Sequence, residues 1–224
     1  MISIPDLKLD ASIYKHTKNI YEKELENLLY IIVRCYKSIM DDLQVPNDEN
    51  KIRDILLYKY LKDRGIRRIY KLDNYIFLPE VREGNKGRTD IHINTPNSFG
   101  EEETYYIIEC KRLDKKNLSG KTGLNAKYIT DGIMRFVSSD YYSCHYEINA
   151  MLGFIVTDLV VNNDIIDNLN KLLDTFSETS TIQKLTKSDF AEDYEYQYIS
   201  KHKRGDGVNL KLYHLMLNFS KIVI

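Results

Sequence analysis

The sequence predicts an α/β protein in which a mixed central sheet is flanked by helices and preceded by an extra N-terminal helix. Three observations lead there. Two runs of helical apolar spacing precede any strand-like segment, a cleanly alternating strand at Thr89 to Asn94 is followed by another at Thr104 to Lys111, and helical and strand periods then alternate toward the end. A chain of 224 residues is long enough for one domain with a real hydrophobic core.

After a short lead with Pro5, a long first helix runs from Ile20 to Met40. Leu25, Leu28, Leu29, Ile32, Val33, Tyr36 and Ile39 recur there at helical spacing, and Asp41 and Asp42 mark its end. The loop at Val45 to Asp48 leads into a second helix starting near Asp48 or Glu49, with Ile52, Ile55, Leu56, Tyr60 and Leu61 on one face, acids at its start and Gly65 just past its end. Asp73 to Val81 reads as a strand in which Pro79 marks an end or an edge. Thr89 to Asn94 and Thr104 to Lys111 form a hairpin across a polar loop. The lysine-rich segment from Arg112 to Lys127 reads as a loop. A helix follows from Tyr128 to Val137, with Gly132 tolerated inside it at about 1 kcal/mol. Met151 to Thr157 is a buried strand, Asn163 to Phe176 a helix, Tyr194 to Ser200 a further strand, and LKLYHLML, from Leu210, the last one.

Hydrophobic residues at 43%, charged residues at 29%, and only 10 Gly and 4 Pro exclude a disordered or fibrous chain. The net charge of -1 excludes a protein that coats nucleic acid through overall charge, so any basic surface is local. Cys35, Cys110 and Cys144 are too widely spaced for a recognisable disulfide framework or zinc site, which suits a reducing cytoplasm. The first ten residues lack the positive flank and apolar run of a signal peptide, and no stretch approaches the roughly 20 apolar residues of a membrane span. The expectation is a cytoplasmic protein with no membrane partner.

The chemistry concentrates between Gly87 and Lys111. Residues two apart on a strand share a face, so Glu109 and Lys111 point one way and Cys110 the other. Across the hairpin, Asp90 reaches the same surface. Two carboxylates brought together repel unless a cation lies between them, and a hard cation such as Mg²⁺ takes oxygen ligands. Asp90, Glu109 and the backbone carbonyl of Cys110 can supply them. Lys111 is then a compact positive charge beside the ion, suited to orienting a water or stabilising a phosphoryl transition state.

GRTDI at Gly87 to Ile91 and IIECK at Ile107 to Lys111, followed by a helix entered through Lys127 and Tyr128, resemble the PD-(D/E)xK nuclease superfamily with its restriction-endonuclease-like fold. The likeness covers roughly Glu49 to Thr157, and Thr89 stands where the motif's name has proline. It implies a Mg²⁺-dependent nuclease (Mn²⁺ as a substitute) hydrolysing phosphodiester bonds, with Asp90 and Glu109 as metal ligands and Lys111 as the catalytic lysine. On it, 1–45 is an N-terminal helical extension, 46–160 a nuclease-like core, and 161–224 a C-terminal helix and strand elaboration of one domain. DNA is the first expected partner and RNA the second, in a setting such as phage defence, restriction or repair.

The family often adds an acid from the helix before the sheet. Glu49, on the apolar face of the second helix, and Glu80, near the site in sequence, are the two candidates; the first is equally an acid favoured by a helix dipole and the second a solvated strand-end acid. Arg112, Lys127, Tyr128 and Arg135 are the substrate-binding candidates, Tyr128 and Arg135 sharing a helical face. Lys115, Lys116 and Lys121 add charge around them, and KHKR at Lys201 to Arg204 offers a second phosphate-contacting turn or a solvated one. His92 shares the face of Asp90, where packing is the plainer account, and Tyr141 and Tyr142 are suited to base stacking. The first helix has no obvious place in the core arrangement, so its stripe is expected to build a homodimer, or a contact in a larger complex. The alternative to a nuclease is a catalytically silent nucleic-acid- or protein-binding module of the same fold; a helical interaction protein is more remote.

Overall fold

A computed structural model describes residues 11–83, 87–96, 104–138 and 145–224. Pro5, Tyr141, Tyr142 and Cys144 lie outside them, so the readings on those residues do too. Helix α1 (Ala11–Asp42) is followed by α2 (Glu49–Asp54), which runs on through wider π-helical turns at Ile55–Leu61, and by α3 (Arg64–Ile69). Next come β1 (Ile76–Pro79), the two-residue strands β2 (Arg82–Glu83) and β3 (Gly87–Arg88), β4 (Ile91–Asn94) and β5 (Tyr105–Leu113). Helix α4 (Leu124–Tyr128) passes through π-helical turns at Ile129–Ile133 into α5 (Met134–Val137). The described chain then gives β6 (Ile148–Ile155), α6 (Asp167–Thr175), β7 (Thr181–Lys187), β8 (Gln197–Lys203) and β9 (Asn209–Asn218).

Seven strands form one sheet in the order β1-β4-β5-β6-β9-β8-β7, and β2 and β3 pair separately. β4 pairs antiparallel with β5, Ile91 opposite Ile108, whereas β6 is parallel to both β5 and β9. The mixed α/β architecture with an N-terminal helix is therefore observed. β1 is an edge strand and ends at Pro79, where a missing amide costs no ladder bond.

Alternation on β5 divides the core in two. Tyr106, Ile108 and Cys110 join α1 and α2 in one buried cluster; Ile107 and Leu113 join α4, α5 and α6 in the other. The helices thus cover the two faces of the sheet. Leu25, Leu28, Leu29, Ile32, Val33, Tyr36 and Ile39 are all buried in the first cluster. This corrects the reading of α1 as an extension with a free stripe: the apolar surface invoked for a homodimer is already spent on the sheet. Tyrosines complete that layer through their hydroxyls. Tyr106 donates to Glu24 Oε2 (2.8 Å), and Tyr213 reaches Glu22 and Glu26 (2.6 and 2.8 Å).

Three expectations along the chain are corrected. The second helix widens into π turns, so Leu57 is fully buried and Ile55 only half-buried. The helix expected at Tyr128 starts at Leu124, because Gly123 takes a left-handed φ of 94° that turns the chain into it. The basic KHKR run is not a turn: Lys201 to Lys203 end β8, and His202 is fully buried.

Behind the second layer, Tyr128, His214, Ser200 and His202 form a buried polar chain. Tyr128 Oη lies 2.8 Å from His214 Nδ1, Ser200 Oγ lies 2.8 Å from both His214 Nε2 and His202 Nε2, and His202 Nδ1 lies 3.1 Å from the Thr179 carbonyl. That carbonyl only accepts, so His202 Nδ1 carries the proton. Ser200 then donates to His202, His214 Nε2 to Ser200, and Tyr128 to His214. One direction satisfies every member with both rings neutral. No helix among the described residues is long and apolar enough to cross a membrane.

Candidate functional site

The site forms where β5 loses its neighbour. β4 covers β5 only from Tyr105 to Ile108; upstream of Ile91 the chain leaves the sheet and Gly87–Arg88 pair with Arg82–Glu83 instead. The outward amides and carbonyls of β5 beyond Ile108 therefore need other partners. Carboxylates serve the amides: Asp90 Oδ2 accepts from the Cys110 amide (2.7 Å) and Glu49 Oε2 from the Arg112 amide (2.8 Å), while the Cys110 carbonyl accepts from Lys111 Nζ. Glu49 reaches it because Asp48 caps α2, its side chain accepting from the Lys51 amide, and starts the helix against β5.

Lys111 sits among these acids. Its Nζ lies 2.6 Å from Glu109 Oε1, 2.8 Å from the Cys110 carbonyl, 3.4 Å from Glu49 Oε1 and 3.5 Å from Asp90 Oδ2. Three carboxylates and a carbonyl thus surround one ammonium, all hard oxygen donors of the kind a divalent cation takes. Among the described residues, however, no three His, Cys, Asp or Glu side chains stand together in a way that could hold a metal ion. The donor chemistry suits such an ion, but the lysine has to leave the oxygens before one can be held.

Glu109 is fully buried, and burial pushes its carboxyl up to about 7, the Asp90 charge acting in the same direction while Lys111 and Arg135 oppose. Burial alone would lower Lys111, but Glu109, Asp90 and Glu49 outweigh it and hold the ammonium above its ordinary range. Arg135 Nη1 donates to Glu109 Oε1 (3.0 Å) and to the Arg88 carbonyl (3.2 Å). Gly132 brings α4 to α5 close to the strand, since a Cβ there would lie 3.5 Å from Lys111 Cγ and 2.4 Å from Met151 Cε.

The sequence did not point to Arg53. It is buried one helical turn beyond Glu49, with Nη1 3.5 Å from Asp90 Oδ1 and Nη2 2.8 Å from Asp54 and 3.2 Å from Glu80. The signal was an arginine adjoining Ile52 on the buried arc of an amphipathic helix. Arg53 and Arg88 hold Glu80 below the usual carboxylate range and away from the Lys111 cluster. Of the two candidate acids, Glu49 is the one that meets Lys111.

The substrate-binding candidates separate. Lys127 is exposed on α4, as Lys115, Lys116 and Lys121 are on the preceding segment. Arg112 is turned inward: Nη1 binds the carbonyl and Oδ1 of Asn47 (2.6 and 2.7 Å), bracing the chain before α2. Tyr128 is a correction. It is fully buried with its hydroxyl on His214, because the side of α4 facing the sheet is apolar and only the next turn brings Arg135 to the site. His92 is packed, its ring stacked on Tyr105 with centroids 4.1 Å apart. Tyr128→Phe is expected to lower stability by about 1–3 kcal/mol through the orphaned His214 acceptor and to leave nucleic-acid affinity unchanged. Chemical denaturation beside a binding titration checks both.

No protein-family model, curated protein or solved structure matches the chain.

Proposed function

We propose that the protein is a metal-dependent nuclease that hydrolyses phosphodiester bonds, in DNA first and RNA second. One observation carries this reading: Glu49, Asp90, Glu109 and the Cys110 carbonyl each put an oxygen within 3.5 Å of Lys111 Nζ. These four would hold Mg²⁺, or Mn²⁺ in its place. When bound, the ion supplies a more acidic water and neutralises charge on the phosphate. Arg135 steadies Glu109 by sharing its Oε1, and Arg53 steadies Asp90. Lys111, released from the oxygens, offers a point charge to the scissile phosphate. The exposed Lys115, Lys116, Lys121 and Lys127 suit a polyanionic substrate.

A second reading, a catalytically silent binding module, also has an observation in its favour. All three carboxylates already have partners within the chain, Asp90 and Glu49 on the bare edge of β5 and Glu109 on Lys111 and Arg135. The deciding assay incubates end-labelled double-stranded DNA, single-stranded DNA and RNA with Mg²⁺ or Mn²⁺, beside Asp90→Ala and Lys111→Ala. Cleavage by the wild-type protein, reduced about 100-fold or more in both variants, is the expected result. Binding without cleavage under every condition gives the binding module instead.

A further inference from the structure

We propose that the outward face of α2, its π-helical turns and α3 is a track for a nucleic-acid phosphate backbone that starts beside Glu49 and leads away from the site. This rests on the nucleic-acid reading above but not on cleavage. Residues 51–73 carry eight Lys or Arg against three Asp, a surplus of five in a chain whose total is -1. A local basic surface is therefore here, besides the exposed Lys115, Lys116, Lys121 and Lys127.

Lys51, Lys59, Lys62, Arg64, Arg68 and Lys71 are all exposed, and none forms an ion pair among the described residues. Two of the three acids are engaged: Asp54 binds Arg53, and Asp63 caps α3 by accepting from the Ile66 amide. The Lys62 ammonium stands 4.9 Å over the Tyr58 ring. Arg67, by contrast, is bound to the Asp73 and Tyr75 carbonyls and holds α3 in place.

The six residues of α2 and seven of the π turns span roughly 20 Å at about 1.5 Å each, or about six base pairs at ~3.4 Å. Lys51, two residues from Glu49, and Lys59 stand on this span, and Lys62, Arg64, Arg68 and Lys71 follow it, a series of exposed cations that suits a polyanion leading away from the site. A membrane surface fits less well. The apolar side of the same helix, Ile52, Leu56, Leu57 and Leu61, is buried in the core, which leaves Tyr58 and Ile69 as the exposed large apolar side chains of this stretch, too few for an amphipathic membrane face.

The test measures binding of a fluorescein-labelled 24-base-pair DNA duplex and its single strand by anisotropy, in EDTA so that no cleavage is involved, across a salt series. Lys62→Gln/Arg64→Gln/Arg68→Gln is compared with Lys171→Gln/Lys184→Gln/Lys187→Gln near the opposite sheet edge, which removes equal charge. Glutamine is a good helix former, so the first variant keeps its fold. It is expected to lose about 10-fold or more in affinity and to lower the salt slope by roughly 2 to 3, while the second binds as the wild-type protein does. Equal loss in both variants, no loss in the first, or no binding by the wild-type protein to either DNA overturns the proposal. Wild-type binding to phosphatidylserine vesicles but to neither DNA overturns it in favour of a membrane. Binding that depends on the track without any cleavage upholds it and removes only the nuclease reading.

Discussion

Lys111→Met is expected to bind Mn²⁺ more tightly than the wild-type protein while cleaving at least about 100-fold more slowly. The two effects separate because Lys111 has two positions in the proposed reaction. In the structure its ammonium fills the space between Glu109 Oε1 and the Cys110 carbonyl, at 2.6 and 2.8 Å, so a metal ion competes with it for those oxygens. Methionine keeps the length of the side chain and removes the competitor, taking away the ammonium between Glu49, Asp90 and Glu109 so that their mutual repulsion rises. A divalent cation relieves it. In the absence of metal, Glu109 has lost the Lys111 ammonium at 2.6 Å, and breaking a buried pair costs about 3–5 kcal/mol. The variant is therefore expected to melt lower than the wild-type protein without metal and to recover on adding Mn²⁺. Calorimetric titration and thermal melts in EDTA and in Mn²⁺ give both numbers, with Asp90→Asn as the variant that loses a ligand. If Lys111→Met and Asp90→Asn both fail to bind Mn²⁺ and neither melt responds to it, the cluster is a salt-bridge network and the binding-module reading stands.

How much of this was legible in the sequence depended on what the signal was made of. The hairpin of β4 and β5, with Glu109 and Lys111 on one strand, was readable because alternation on a half-buried strand is a direct consequence of its geometry; its register, Ile91 opposite Ile108, was not, and Asp90, expected inside the strand, lies just before it. Glu49 was readable as the companion acid from its place on the apolar face of α2. The role of Asp90 and Glu49 as partners for the bare amides of β5 was not readable, since it depends on where β4 stops, and no residue announces that. Tyr128 misled for a related reason. Seven-residue spacing put it on one face with Arg135, but π-helical turns at Ile129–Ile133 break the 3.6-residue period, and Tyr128 enters the core while Arg135 emerges at the site. β7 went unseen because of its seven residues only Leu185 is buried, as expected of an edge strand with one wet face.

Acid is expected to destabilise the protein through His202 and His214 before it touches most carboxylates. Both rings are buried and neutral, and burial depresses them to about 4 and about 3, the His202 neighbour adding to the shift of His214. A depressed histidine contributes stability that is complete above its unfolded pKa of about 6.5 and is lost as pH falls toward the folded value, at about 1.4 kcal/mol per pH unit for each ring. Glu109 acts in the opposite sense. Its pKa, raised to about 7, gives stability that is complete below its unfolded value and is lost as pH rises through about 7, so it returns one such increment on acidification. Two histidines against one carboxyl leave a net loss of about 3 kcal/mol from pH 6.5 to 4.5, a large fraction of the 5–15 kcal/mol typical of a domain. Urea unfolding followed across that range should show the midpoint falling by roughly 1 M or more. Glu109→Gln, which removes the opposing group, should steepen the fall, and His202→Gln should flatten it whatever it does to the midpoint at pH 7.5. A midpoint independent of pH in all three proteins would mean that the chain from Tyr128 to Thr179 is not a dry, neutral network. The assignment of one hydrogen-bond direction along it would fall with that result.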